Sequence, residues 1–297
     1  MFQPSLMWRR KFLAQSEYLR GLLICIVGVA LLSVEGLLIR LLGLDLWSVI
    51  WWRGALVAAT VMAGLLVFSR GRVRRMFAAV SAPGAVAALA FAASVVCFVA
   101  AIRLTGVANT LVLASASPLF AAILSRFVLR EAVARRTWAA ALMVFIGIAA
   151  IFAGSWRGGG LAGDAFALAN AFAIAAYFVA LRKGRAANPM PVIVAGALLS
   201  ALIAWPAANP FAVSSDALFL LFLLGVVVVP PATALITLGP KYIPAPDAGL
   251  VMLLETLLGP LWVWLVLREM PAAETLAGGA VILLAVAAHS LGGSRAR

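Results

Sequence analysis

Two glutamates interrupt long apolar runs in this chain: Glu35 in GLLICIVGVALLSVEGLLI and Glu255 in GLVMLLETLLGPLW. A charge at the centre of a membrane helix is disfavoured by about 2.5–3.5 kcal/mol, so each carboxylate needs a partner or a use. The chemistry open to such a group is binding a cationic part of a solute, or taking up and releasing a proton. Asn170 and Tyr177 stand seven residues apart in a third apolar run, and Gly28 and Glu35 share that spacing in the first. Residues seven apart lie on one face of a helix, so each pair defines a stripe. Asn109, Ser115, Ser117 and Thr233 are further polar residues placed inside apolar segments.

Each of these has a plainer alternative. Glu35 either lines a solute pathway or is a helix-end carboxylate reaching Arg40 or interfacial water. Glu255, about 12 Å into its run at 1.5 Å per residue, either faces a cavity or bonds a neighbouring helix. Asn170 and Tyr177 line the same space or glue helices together. Ser115 and Ser117 can bond back onto their own helix, and Asn109 can end one. Arg53 follows Trp51 and Trp52 at the end of a run, where aromatic belts sit. Snorkelling to headgroups is expected of it, with pairing to Glu35 or Asp45 as the other reading. Trp262 and Trp264 read as the same kind of belt, with closure of a cavity as the alternative for Trp262. His289 reads as interfacial.

Prolines mark expected bends. Pro118, Pro230, Pro231 and Pro260 each remove an amide hydrogen inside an apolar run, and they flank Ser117, Thr233 and Glu255.

Other chemistries lack their residues. No HExxH or GxSxG occurs, no aspartates are paired, and the one histidine leaves no triad, so an enzyme is not expected. Cys25 and Cys97 lie inside apolar runs with no CxxC spacing, which supports neither a zinc site nor a disulfide framework; no metal or cofactor is expected. The net charge of +13 could suggest nucleic acid, but the arginines sit in short clusters between apolar runs rather than on a polar domain. Nucleic acid is not an expected partner; membrane lipid is.

The elements that must position these residues follow from composition. Of the 297 residues 65% are hydrophobic and 11% charged, too little charge to cover a protein in water. Runs of roughly 20 apolar residues, enough to cross a hydrocarbon core of about 30 Å, occur at 21–39, 47–68, 78–101, 105–125, 137–155, 162–181, 190–208, 217–239, 247–267 and 273–291. All should be helices, because lipid offers no partner to an unpaired amide. The expected fold is therefore all-α and integral to the membrane, with ten transmembrane helices. Arg9, Arg10, Lys11, Phe12 and Leu13 spell the core of a twin-arginine signal. Glu17 and Arg20 then intervene and the next run is long enough to span, so residues 1–20 read as a basic cytoplasmic tail.

Of the 23 basic residues, Arg40, Arg103, Arg157 and Arg268 fall on the side opposite the amino terminus, and Arg53 lies within a run. The other 18 share the amino-terminal side. By the positive-inside rule both termini, including 292–297, are expected in the cytoplasm.

The tetrapeptide VLRE occurs at 128–131 and again at 266–269, an offset of 138. That offset also pairs Thr137 with Thr275, Arg103 with Lys241 and Ser117 with Glu255. Nearer the start an offset of 142 pairs Gly54-Ala55-Leu56 with Gly196-Ala197-Leu198, Gly28 with Asn170 and Glu35 with Tyr177. Each half, 21–155 and 162–291, thus holds five spans. Five is odd, so the second half enters the membrane upside down. The first VLRE then ends at the basic face beside Arg135 and Arg136, and the second, followed by MPAAET, at the other. An inverted repeat is a signature of secondary transporters, with the solute near midplane where the halves meet.

The segment AIRLTGVANTLVLASASPLFAAILSRFVLREAVARRTWAAALMVFIGIAAI resembles the carboxyl-terminal part of an EamA domain, and LGPKYIPAPDAGLVMLLETLLGPLWVWLVLREMPAAETLAGGAVILLAVAA resembles its second copy. EamA domains belong to the drug/metabolite transporter superfamily, whose bacterial members include exporters of amino acids and other small metabolites. Where the family commonly places glycine before the glutamate of this loop, Arg130 and Arg268 stand here. The resemblance implies a cavity lined by the first, third, fourth, sixth, eighth and ninth helices. It implies a carrier of a small metabolite, such as an amino acid, in a bacterial inner membrane, exporting by alternating access. A channel or scaffold is the other class, though neither a ring of like charges nor a filter loop is evident. Alanine- and glycine-rich faces permit a homodimer without requiring one.

Overall fold

A computed structural model describes residues 4–69, 71–130, 135–158, 160–185, 188–239, 242–243 and 245–294. Glu131 of the first VLRE, its neighbour Ala134, Arg70, Lys241 and the tail 295–297 lie outside the described residues, as do the side chains of Arg135, Arg136 and His289.

The secondary structure of the described residues is helical. In chain order the helices are α1 (Pro4–Leu32), α2 (Glu35–Leu41), α3 (Leu46–Phe68), α4 (Val73–Ala78), α5 (Ala82–Leu104), α6 (Val107–Ala114) and α7 (Ser117–Val128). They continue with α8 (Arg135–Gly158), α9 (Leu161–Lys183), α10 (Met190–Ala204), α11 (Ser215–Phe222), α12 (Val229–Leu238), α13 (Ala245–Leu267) and α14 (Ala273–Ser294). Among the described residues nine units are long and apolar enough to cross a membrane, with α1–α2, α6–α7 and α11–α12 each counting as one. The tenth, α14, contributes a shorter apolar stretch, Ala273–Ala288. Many large apolar side chains are exposed, among them Phe127, Phe145, Phe219 and Leu284, as a lipid-facing surface requires. The protein is a multi-pass membrane protein.

Three of the spans are interrupted, each for a local reason. The first breaks at Ser33–Val34, where the Ser33 hydroxyl donates to the Ala30 carbonyl (2.7 Å) and accepts from Trp262 Nε1 (2.9 Å). The fourth breaks at Ser115–Ala116, and Pro118 then sits in the first turn of α7, where its missing amide costs nothing. In the eighth, a π-helical segment Leu223–Val228 joins α11 to α12. In π register the Gly225 carbonyl would take the amide of Pro230, which has none, and the Thr60 hydroxyl donates to it instead (3.3 Å). Pro260 behaves differently from the other prolines: α13 runs through it as one helix.

Side-chain caps hold the starts of α3 and α11. Asp45 caps α3, accepting from the amides of Trp47 and Ser48, both at 3.0 Å. Its slight burial pushes the carboxyl up, but the hydrogen bonds from Ser48 and the backbone outweigh this and hold it below its usual range. At the other end of the helices, Arg130 and Arg268 adopt φ of 58° and 59°, the left-handed conformation that glycine takes most easily. Both copies of VLRE thus end a helix with the same backbone turn.

Helix pairing follows the duplication. The second span packs on the seventh (α3 on α10), the fifth on the tenth (α8 on α14) and the fourth on the ninth (α6 on α13). The contact of the third on the sixth (α5 on α9) is answered by the eighth on the first (α12 on α1). At the α8–α14 crossing the two backbones touch: a Cβ on Gly147 would lie 2.7 Å from the Gly278 carbonyl oxygen, and one on Gly278 2.6 Å from that of Gly147. Dispersion between close backbones is what holds helices together in lipid. One buried apolar cluster joins α2, α3, α5 and α10 through Leu37, Ile50, Val95 and Ile193. A second joins α6, α7, α8 and α14 through Leu113, Leu119, Ile151 and Ile282.

Candidate functional site

A cavity of about 370 Å³ lies between the halves, within the range of small-molecule sites. Helical spacing selects its walls. On α5 the lining residues are Phe91, Ser94, Val95 and Phe98, and on α9 they are Asn170, Ile174, Tyr177, Phe178 and Leu181; each set follows one stripe of a helix. Val229, Thr233, Ile236 and Thr237 do the same on α12, and Met252 and Glu255 face in from α13. Leu32, Glu35 and Arg53 lie toward one end of their spans, and Leu181, Pro189 and Thr237 toward the other membrane face. The ring of Tyr177 is held between Phe91 and Phe178, at centroid distances of 5.5 and 5.1 Å.

Three ionisable groups face this space. Arg53 Nε donates to Glu35 Oε1 at 2.6 Å, and the two residues are 7% and 3% exposed. Snorkelling of Arg53 is therefore not what happens. The break in the first span places Glu35 in the opening turn of α2, within reach of α3, and a buried guanidinium with a carboxylate beside it gains more than it would by stretching to headgroups. Nor does Glu35 reach Arg40. That arginine donates through Nη2 to both oxygens of Glu269, at 2.9 and 3.0 Å, so the final residue of the second VLRE is tied to α2. Glu255 has neither a hydrogen bond nor an ion pair to any described residue. Asn170 is 1% exposed, and its Nδ2 likewise has no acceptor among them. Thr233 and Thr237 spend their hydroxyl protons on carbonyls of their own helix, Val229 and Thr233, at 2.7 Å each.

Of the residues singled out in the sequence, Glu35, Asn170, Tyr177, Thr233 and Glu255 come together on this cavity. Asn109, Ser115, Ser117 and Trp262 do not. Ser115 donates back to the Val112 carbonyl at 2.6 Å, as a hydroxyl inside a helix can. Ser117 opens α7 just past the break in the fourth span, so its repeat match to Glu255 does not carry it to the cavity. Trp262 is neither a lipid-belt residue nor a cavity lid: half-buried against the core, its indole staples the break at Ser33. Asn109 does not end a helix but joins Thr105, Ser155, Asp164 and Thr275 in a separate polar cluster. Gly28 packs on α12, where a Cβ would lie 3.0 Å from Leu235 and Ile236; the helix break between it and Glu35 dissolves their common stripe. The fourth span contributes nothing to the lining, and the second contributes Arg53.

Sequence reasoning missed Phe91, Phe98, Phe178, Ser94 and Thr237 as wall residues. The seven-residue spacing of Phe91 and Phe98 and the four-residue spacing of Thr233 and Thr237 were available signals. Aromatic residues in apolar spans are too common for such spacing to decide alone.

The family described as the EamA-like transporter family matches residues 19–153 and again 161–291. A solved crystal structure shares 19% identity, with a TM-score of 0.63 over 91% of this chain and 96% of that one, which shows a common fold. No curated protein matches the chain.

Proposed function

The chain belongs to the EamA-like transporter family, a family of transporters rather than enzymes, and from that premise we propose that it carries a small ammonium-bearing metabolite, such as an amino acid, through the 370 Å³ cavity. The observation that carries this reading is the pair of unused groups facing one space: the Glu255 carboxylate and the Asn170 amide nitrogen. Glu35 and Arg53 cancel one another, so Glu255 is the acidic wall residue left without a partner among the described residues, free to ionise against a cation. An ammonium group pairs with that carboxylate, and an acceptor such as a carboxylate takes the Asn170 amide. Phe91, Tyr177 and Phe178 supply an apolar and cation-attracting wall. The volume suits a solute of this size.

The two repeats rock about the cavity and open it to each side in turn, the mode that inverted repeats serve. With the arginine-rich loops cytoplasmic, both termini are cytoplasmic and the lining reaches toward the cytoplasmic helix ends at Leu181, Pro189 and Thr237. A cavity loaded from that side favours export across a bacterial inner membrane. Glu255 is also the group that exchanges a proton for the ammonium in each cycle.

Counterflow in proteoliposomes tests the reading. Saturable exchange of amino acids and amines is expected, reduced about tenfold or more in Glu255→Gln if a charge-assisted contact of roughly 1.5–3 kcal/mol is lost. Ohmic conductance, or equal carriage of a purely anionic solute by wild type and Glu255→Gln, overturns it. Exchange that ignores a pH gradient removes the proton step.

A further inference from the structure

We propose that the polar cluster around Asp164 is a binding site for a small monovalent cation, separate from the solute cavity. Asp164 lies in the first turn of α9 and is 0% exposed. Its Oδ1 accepts from the Thr105 hydroxyl at 2.6 Å and from Asn109 Nδ2 at 3.0 Å. Its other oxygen, Oδ2, has no partner among the described residues, and neither ion pair found among them involves Asp164. The Ser155 hydroxyl lies 3.3 Å from Asn109 Nδ2, and the Thr275 hydroxyl donates to Asn109 Oδ1.

A carboxylate sealed from water inside a membrane protein needs more than hydrogen bonds: hydroxyls and amides solvate it but do not neutralise it. The α9 N-terminus offsets only part of the charge. A bound cation supplies the rest and takes the free oxygen as a ligand.

The donor set decides which cation. Hydroxyls, an amide and a carboxylate are hard oxygen ligands, with no sulfur or imidazole among them, which disfavours zinc and other transition metals. One carboxylate balances one positive charge. Among the described residues no three His, Cys, Asp or Glu side chains gather to hold a divalent ion. A half-turn of the Asn109 amide exchanges two groups of nearly equal size. It brings Oδ1 into the ligand set and leaves Nδ2 donating to the Thr275 oxygen.

A second cavity adjoins the cluster. About 230 Å³ in volume, it is lined by Thr105, Gly106, Asn109 and Glu269 among others, so two residues of the cluster also face this space and an acidic side chain stands on its wall. The cluster draws on α6 and α8 of the first repeat, the α5–α6 link, and α9 and α14 of the second. A cation bound there favours the arrangement in which the two repeats meet at this point.

Thermal unfolding of the purified, detergent-solubilised full chain tests this, in sodium chloride against choline chloride at equal ionic strength. The expected result is a midpoint that rises saturably with sodium but not with choline, and an Asp164→Asn protein that folds yet has lost the increment. Ser155→Ala weakens the apparent sodium affinity several-fold, and it serves if Asp164→Asn does not fold. Equal midpoints in the two salts overturn the proposal. So does a sodium increment that survives Asp164→Asn, or, where that variant does not fold, an unchanged sodium affinity in Ser155→Ala. A midpoint that follows pH and ignores sodium also overturns it, assigning the free oxygen to a proton.

Discussion

The two repeats share a backbone plan and differ in their chemistry. Both copies of VLRE end a helix and turn through the same left-handed residue, Arg130 in one and Arg268 in the other. Helices pair across the molecule as a two-fold relation demands. Yet the first repeat closes its own charge, with Glu35 on Arg53, while the second leaves Glu255 open to the cavity. The helix breaks alternate as well. The first, fourth and eighth spans are interrupted, and their repeat mates, α9, α13 and α5, run through unbroken. Duplication thus sets the scaffold, and divergence decides which half holds a structural ion pair and which offers an unpaired carboxylate.

The largest test of that contrast is Arg53→Ala. Removing one partner of a buried pair leaves an uncompensated charge, so a loss of about 3–5 kcal/mol in stability is expected. It should be read as a fall in the unfolding midpoint of the purified protein. The double variant Arg53→Met with Glu35→Gln removes both charges and should recover most of the loss. Equal damage in single and double variants would mean that Arg53 acts through packing rather than through Glu35.

Glu255→Gln should do the opposite: stability held or raised, and ammonium exchange reduced about tenfold or more. Asn170→Ala sharpens the distinction further. It deletes a buried donor with no acceptor, which costs the folded protein nothing in hydrogen bonds, while solute affinity falls by roughly 0.5–1.5 kcal/mol, a few-fold in half-saturation. A large loss of stability in either variant would place these groups with Glu35 and Arg53, among the structural ones.

What could be read from the amino-acid sequence divides along the same line. Spans and repeat were legible, because apolar run length and an exact tetrapeptide survive without knowledge of packing; helix ends were not, since α1 starts at Pro4 and the first and fourth spans break within. Glu35, Asn170, Tyr177, Thr233 and Glu255 were legible as wall residues for a related reason: a polar group in an apolar span must face something other than lipid. Which polar groups face one another was not. Arg53 looked like a headgroup anchor because its distance from Glu35 depends on a helix break at Ser33 that no local residue announces. Asn109 misled because its partners come from α9 and α14, and Ser117 because it stands past a break in its span. Asp164 escaped notice at the start of a span, where an acidic residue usually caps a helix.

The smallest effect bears on the shared half of the comparison. A non-glycine residue pays roughly 1–2 kcal/mol to hold a left-handed backbone, and glycine gives back about 0.5–1 kcal/mol of that through its freer unfolded chain. Arg130→Gly and Arg268→Gly should therefore each stabilise the protein by about 0.5–1 kcal/mol. Both side chains are exposed, so little packing is lost. The informative quantity is the difference between the two increments. If the turns are the same structure on opposite faces, the increments agree within error and add in the double variant, since the sites share no contact. If only one variant gains, the two VLRE ends have diverged in backbone as well as in side chains. The arginine that resists replacement is then held by a contact of its own.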